Sequence, residues 1–250
     1  MGSPWRLFAG WILVACAIYP LRAGDPPLDV IIAGVVKKAD ADQTALQSMQ
    51  YDQATSVEEL DDLGQVVHRQ QRQAIVRPGA AVEMEETSVT GDTLSTDSTR
   101  KARQAAVRQN VNQGRKEFSM AKMVGRFNVT SKGRVELAGR PAYLLRFEPK
   151  PGQDYDTEIE RVLDQLHGLI WVNPDNYAIL QTDAHLVAPV KIGWFLATIK
   201  QLDFHYRFDG KTERDLGPAR VDVVTWIDIP VWPTIHQHQA LELTNFRPRD

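Results

Sequence analysis

The 250-residue chain holds a single cysteine, Cys16. One thiol cannot close an intramolecular disulfide, so a small stapled scaffold is excluded and the fold must rest on its core. The motifs of several enzyme classes are missing too. There is no Gly-x-Ser-x-Gly elbow, phosphate-binding glycine loop, His-Glu-x-x-His pair or Cys-x-x-Cys, which removes the strongest motif-based grounds for catalysis. Internal repeats are absent. The apolar run at the start, Leu7 to Tyr19, falls short of the ~20 residues a membrane-spanning helix needs.

That run has another meaning. Arg6 precedes it, and Pro20-Leu21-Arg22-Ala23 follows with a break and a small residue, the three-part layout of a secretory signal peptide. Residues 1–23 are therefore expected to be removed on export to a bacterial periplasm, leaving 24–250 as one domain. Leu13-Val14-Ala15-Cys16 also has the shape of a lipoprotein cleavage box, so a membrane-anchored form acylated at Cys16 is the alternative.

Charge is unevenly placed. Gly24 to Asp97 carries 5 basic and 14 acidic residues, whereas Arg100 to Val135 carries 10 basic residues and one acid, Glu117. Either the two segments face each other, or Arg100, Lys101, Arg103 and Arg108 meet an anionic membrane surface or an envelope protein partner. Export argues against nucleic acid. The segment 93–116 reads as a basic helical insertion, polar almost all round.

Asp25-Pro26-Pro27 is a helix start with Asp25 as cap, and Leu28, Ile31, Ile32, Val35, Val36 and Ala39 share one helical face, predicting a helix to about Ser48. Period-two strands are expected at Tyr51–Leu60, Gln65–Arg77 and Ala81–Val89. A second amphipathic helix should begin near Glu117, with Met120, Met123, Val124 and Phe127 on one face. A strand pair follows around Ala138-Gly139-Arg140-Pro141. Then come a helix from Asp156 or Thr157 to a Gly168 exit, strands at Leu169–Asn173 and Tyr177–Val187, and further strands at Leu202–Phe208, Ala219–Ile229 and Thr234–Asn245.

Three stretches carry a resemblance: Tyr-x-x-x-x-x-Val-Glu-Glu-Leu-Asp from Tyr51, Gly-Arg-Pro-Ala-Tyr-Leu-Leu-Arg-Phe-Glu-Pro-Lys-Pro-Gly from Gly139, and Gly-Leu-Ile-Trp-Val-Asn-Pro-Asp-Asn-Tyr from Gly168. Together with the leading helix they resemble uncharacterised bacterial envelope proteins similar to the outer-membrane lipoprotein-sorting (LolA/LolB-like) superfamily. The resemblance implies an α+β fold in which a strongly curved antiparallel sheet, an incomplete β-barrel, has helices covering its concave face. In those carriers the cavity holds acyl chains. No catalytic residue and no cofactor is implied.

The most apolar later segment, Val187 to Ile199, is greasy on both alternating sets, as for a strand buried on both sides or lining a cavity. The expectation is thus a periplasmic, non-enzymatic binding protein for a lipid, acyl chain or other apolar moiety. Its cavity would be lined by Tyr143, Leu145, Phe147, Trp171, Trp194, Phe195 and Leu196, with Met120 and Met123 on a covering helix. The alternative is an envelope interaction or sensor module without lipid cargo. A metal-dependent activity at His236 and His238 is the weakest reading: two imidazoles at strand spacing, with Asp183, His185 and His205 elsewhere, lack the convergence of three or four ligands that a metal demands. Asp156, Glu158 and Glu160 read as acids favoured at a helix start.

Overall fold

A computed structural model describes residues 25–79, 82–92, 120–192, 197–209, 216–230 and 234–249. The expected leader 1–23 with Cys16, the basic insertion with Arg100, Lys101, Arg103 and Arg108, and the triplet Trp194, Phe195, Leu196 lie outside the described residues.

Helix α1 (Leu28–Leu46) opens the described chain and carries Asp29 in its first turn. Its N-cap is Pro27, with no side-chain cap bond. Asp25 does not cap; its carboxylate is buried 3.9 Å from the Arg134 guanidinium, because two prolines separate it from the first helical residue. Strands β1 (Met49–Leu60), β2 (Val66–Arg77) and β3 (Glu83–Gly91) form a meander. The turn from Asp61 to Gln65 is fixed by Asp61 Oδ1, which accepts from the Leu63 and Gln65 amides at 2.9 and 2.8 Å, an Asx device in which the short side chain imitates a backbone turn.

A short helix α2 (Met120–Arg126) leads straight into β4 (Phe127–Leu137), which pairs with β5 (Arg140–Pro149). Phe127, which the sequence places both on the helical face and at the start of a strand Phe127–Leu137, is the first strand residue and is buried edge-on to Phe147 at 5.1 Å between ring centroids. Helix α3 (Glu158–Leu163) begins at Thr157, whose hydroxyl accepts from the Glu160 amide at 3.2 Å. It is shorter than expected. β6 (Leu166–Val172) already includes Gly168, which is therefore no helix exit: a β-carbon there would meet the Asp183 carbonyl oxygen and stand 2.6 Å from Cζ of Phe147. Close packing of β6 on its neighbours demands this glycine, not a helix C-cap.

β7 (Ile179–Leu186), β8 (Val190–Ile192), β9 (Ala197–Phe208), β10 (Ala219–Asp228) and β11 (Ile235–Pro248) complete one antiparallel sheet in the order β3-β2-β1-β11-β10-β9-β7-β6-β5-β4, with β8 beside β9. Among the described residues the sheet has eleven strands, few helices accompany it, and it is not closed: β3 and β4 are its two ends. The greasy run from Val187 turns out to be split between β8 and the start of β9. β11 brings the end of the chain back to β1, so that Met49 faces Pro248.

One sheet face receives α1. Ile31 and Val35 pack with Tyr143, Leu145 and Val172, and Met120 joins from α2. Burying such aliphatic side chains contributes ~1.5–3 kcal/mol each, so this contact is what holds a helix with few other attachments. A second cluster of Phe127, Phe147, Leu163 and Ala184 ties α3 to the same face.

Candidate functional site: a cavity between helix α1 and the sheet

Beyond the Ile31–Val35 contact, α1 stands away from the sheet and leaves a cavity of about 300 Å³. Val35, Lys38, Ala39, Asp42 and Leu46 line it from the helix, at the spacing of one helical face. Opposite them are Tyr206 and Phe208 of β9, Leu243 and Phe246 of β11, Tyr51 of β1, and Tyr177 with Ile179 before and in β7. Register explains the assembly. Tyr206 pairs with Thr182 and Val221, and Leu243 pairs with Ala219 and Gln53, so these side chains rise from one face of the pleat. Tyr51 and Phe246 touch at 5.1 Å between ring centroids.

Tyr177 reaches the cavity through the Asn-Pro-Asp-Asn-Tyr turn. Asn173 Oδ1 accepts from the Asp175 amide at 2.8 Å, Asn176 Oδ1 accepts from the Ala178 amide at 2.9 Å, and the Tyr177 amide donates to the Asn173 carbonyl at 2.9 Å. This network holds Tyr177 at φ +60°, in the left-handed region that a residue with a β-carbon rarely adopts. Its ring then rests against Gly34 of α1.

The polar groups of the cavity are few. Lys38 and Asp42 pair with each other along α1. Burial pushes the Tyr206 hydroxyl up to about 12, with the Asp42 carboxylate adding to it. A neutral phenol and a self-paired ion couple leave the chemistry of an apolar binding site with a few polar contacts.

Among the residues expected to line a cavity, Tyr143, Leu145 and Phe147 are at most 7 % exposed and packed into the two core clusters. Met120 packs beside them, and Met123 is half-buried in α2. Trp171 pairs with Leu144 and Gln181, on the face away from Tyr143 and Leu145. None of these six lines the α1 cavity. The lining residues of β9 and β11 carry no distinctive motif and those of α1 only the helical face through Val35 and Ala39, whereas Tyr51 and Tyr177 belong to the stretches that carry the resemblance.

The opposite face is polar and ordered. One continuous row of cross-strand partners runs His167, His185, Asp203, Val224, His238, Glu58, Arg69 from β6 to β2. His238 lies 3.1 Å from both Glu58 and Asp222, and His205 lies 2.9 Å from Asp183. His236 stacks on Trp226 at 4.7 Å and contacts the Asp61 carbonyl. The hydrogen bond with His238, followed by Arg69, holds the Glu58 carboxyl below its usual range. Asp222 is held low chiefly by Arg220, then by His238. Among the described residues no group of three or more His, Cys, Asp or Glu side chains is placed to hold a metal ion.

Solved structures with which the chain aligns share low sequence identity with it. A DUF1329 family protein from Desulfovibrio piger matches 89% of this chain and 93% of its own at 12% identity, TM-score 0.41. A LolA superfamily protein from Nitrosomonas europaea matches 88% and 94% at 13% identity, TM-score 0.34. A putative outer membrane lipoprotein-sorting protein domain from Vibrio parahaemolyticus matches 87% and 93% at 7% identity, TM-score 0.34. These names include the superfamily that the sequence motifs resemble. The likeness is loose and carries no argument about ligand or activity. No family model and no curated protein matches the chain. No described helix is long and apolar enough to cross a membrane.

Proposed function

We propose that the protein is an exported binding protein of the cell envelope that takes the apolar part of a ligand, an acyl chain or similar moiety, between α1 and the sheet. The observation that carries this reading is the cavity of about 300 Å³, walled by Val35, Leu46, Tyr51, Phe208, Leu243 and Phe246. That volume sits at the lower end of small-ligand pockets, roughly 300–1,000 Å³. It accommodates part of a chain and not a bulky multi-chain lipid. Each methylene transferred into it supplies about 0.8 kcal/mol, so a short buried length suffices for useful affinity. The helix that closes the cavity is anchored through Ile31 and Val35, which leaves its second half, from Lys38 to Leu46, as the part that would yield to a longer ligand. Export after removal of residues 1–23 belongs to the same proposal.

The test is displacement of an environment-sensitive fatty-acid probe. The wild-type protein should enhance the probe's fluorescence saturably, and Ala39→Phe, which fills the cavity from α1, should weaken binding at least tenfold. Equal binding by the two proteins would overturn the reading.

A further inference from the structure

A second concavity lies on the far side of α3, where the segment after β5, the start of β6 and the β7–β8 connection meet. It spans about 770 Å³ and shares no residue with the α1 cavity. Its charged lining is one-sided. Among the described residues, Lys150, Arg161, Lys191 and the imidazole of His167 face it, against the single carboxylate of Asp164. That carboxylate is already engaged by Arg126 at 2.8 Å. Such a concentration of cations runs against a chain whose net charge is −3.

The donors of Arg161 and Lys150 are arranged and partly unspent. Arg161 gives Nη1 to the Lys191 carbonyl at 2.9 Å, has Glu158 at 3.5 Å, and stacks over the half-exposed Tyr155 ring at 4.8 Å. The stack and the carbonyl fix the guanidinium plane, while its Nε is buried without a hydrogen-bond partner. Lys150 spends one donor on the Gly125 carbonyl at 2.7 Å, and an ammonium has three. A held guanidinium beside lysine ammonium groups suits an oxyanion with several acceptor oxygens. The volume is far more than a bare ion fills, so the anion is carried on a larger molecule.

We infer that this cleft binds a phosphoryl group, with Arg161 as its oriented donor and Lys150 and Lys191 as its charge partners. The inference is independent of the α1 cavity. It is tested by titrating the full chain with inorganic phosphate while following amide resonances of Gly152, Tyr155 and His167, and by sedimentation with phosphatidylcholine vesicles with and without phosphatidylglycerol. Phosphate should shift those resonances saturably. Lys150→Gln and Lys191→Gln should each weaken binding about tenfold, the loss of one charge-assisted hydrogen bond; both are exposed, and Lys150→Gln leaves every core contact in place. Binding to the phosphatidylglycerol vesicles that both substitutions reduce assigns the group to a lipid headgroup. Phosphate binding without vesicle binding assigns it to a soluble phosphate ester. No saturable shift and no vesicle binding, or binding that survives both substitutions, overturns the inference.

Discussion

Gly34 and Tyr177 lie so close that a β-carbon on residue 34 would stand 2.6 Å from Cδ2 of the tyrosine ring and 2.8 Å from Cδ1. The glycine is thus a seat for the ring in the middle of α1, and the ring in turn forms one wall of the cavity. A glycine in a helix interior costs up to ~1 kcal/mol relative to alanine, so helix propensity alone favours Gly34→Ala. Overpacking opposes it by ~1–3 kcal/mol, because Tyr177 is pinned by the Asn173 and Asn176 turn and cannot retreat freely. The expected result is a lowered melting temperature together with weakened fatty-acid probe binding. A raised melting temperature with unchanged binding would show that the ring does not rest on the helix.

Tyr206 gives the cavity a pH signature. Its folded pKa is raised to about 12 from 10.0, so the folded state holds the proton more tightly than the unfolded chain does. Stability from this group is complete below pH 10 and is lost as pH rises toward 12. Tyr206→Phe removes the ionisation. The wild type should therefore lose stability relative to Tyr206→Phe across that alkaline window in urea titrations; parallel pH profiles would place the phenol in water.

The other face answers to acid. Glu58 is held below its ordinary value of 4.5 by His238 first and Arg69 next. A depressed carboxylate contributes stability above its unfolded pKa and loses it as pH falls through the folded one. Wild type should exceed Glu58→Gln in urea midpoint above pH 4.5, and the gap should close on further acidification. A gap that stays constant with pH would mean that the difference is packing and not charge.

Local chemistry was the part legible in the sequence. The face of α1, the hairpin around Asp61, a helix start at Asp156 or Thr157 and the pair β4–β5 all follow from contacts within a few residues of one another. What escaped was set by partners far along the chain. Alternation separates Tyr143 from Leu144, yet nothing local says that α1 lies on the Tyr143 side or that Trp171, opposite Leu144, belongs to the other face. Gly168 looked like a helix exit because a glycine after an amphipathic run usually is one; its real cause is the Asp183 carbonyl and the Phe147 ring. Tyr206 and Leu243 reach the cavity only because β11 inserts between β10 and β1, a pairing with no mark in either strand.

The most direct measurement is native mass spectrometry of the protein purified from the envelope fraction, alongside Ala39→Phe prepared in the same way. The account predicts a noncovalent adduct with the mass of a single-chain lipid or comparable apolar molecule on the wild type, lost in Ala39→Phe. A wild-type protein that is ligand-free and takes up no fatty acid on incubation, or an adduct retained in full by Ala39→Phe, would contradict it.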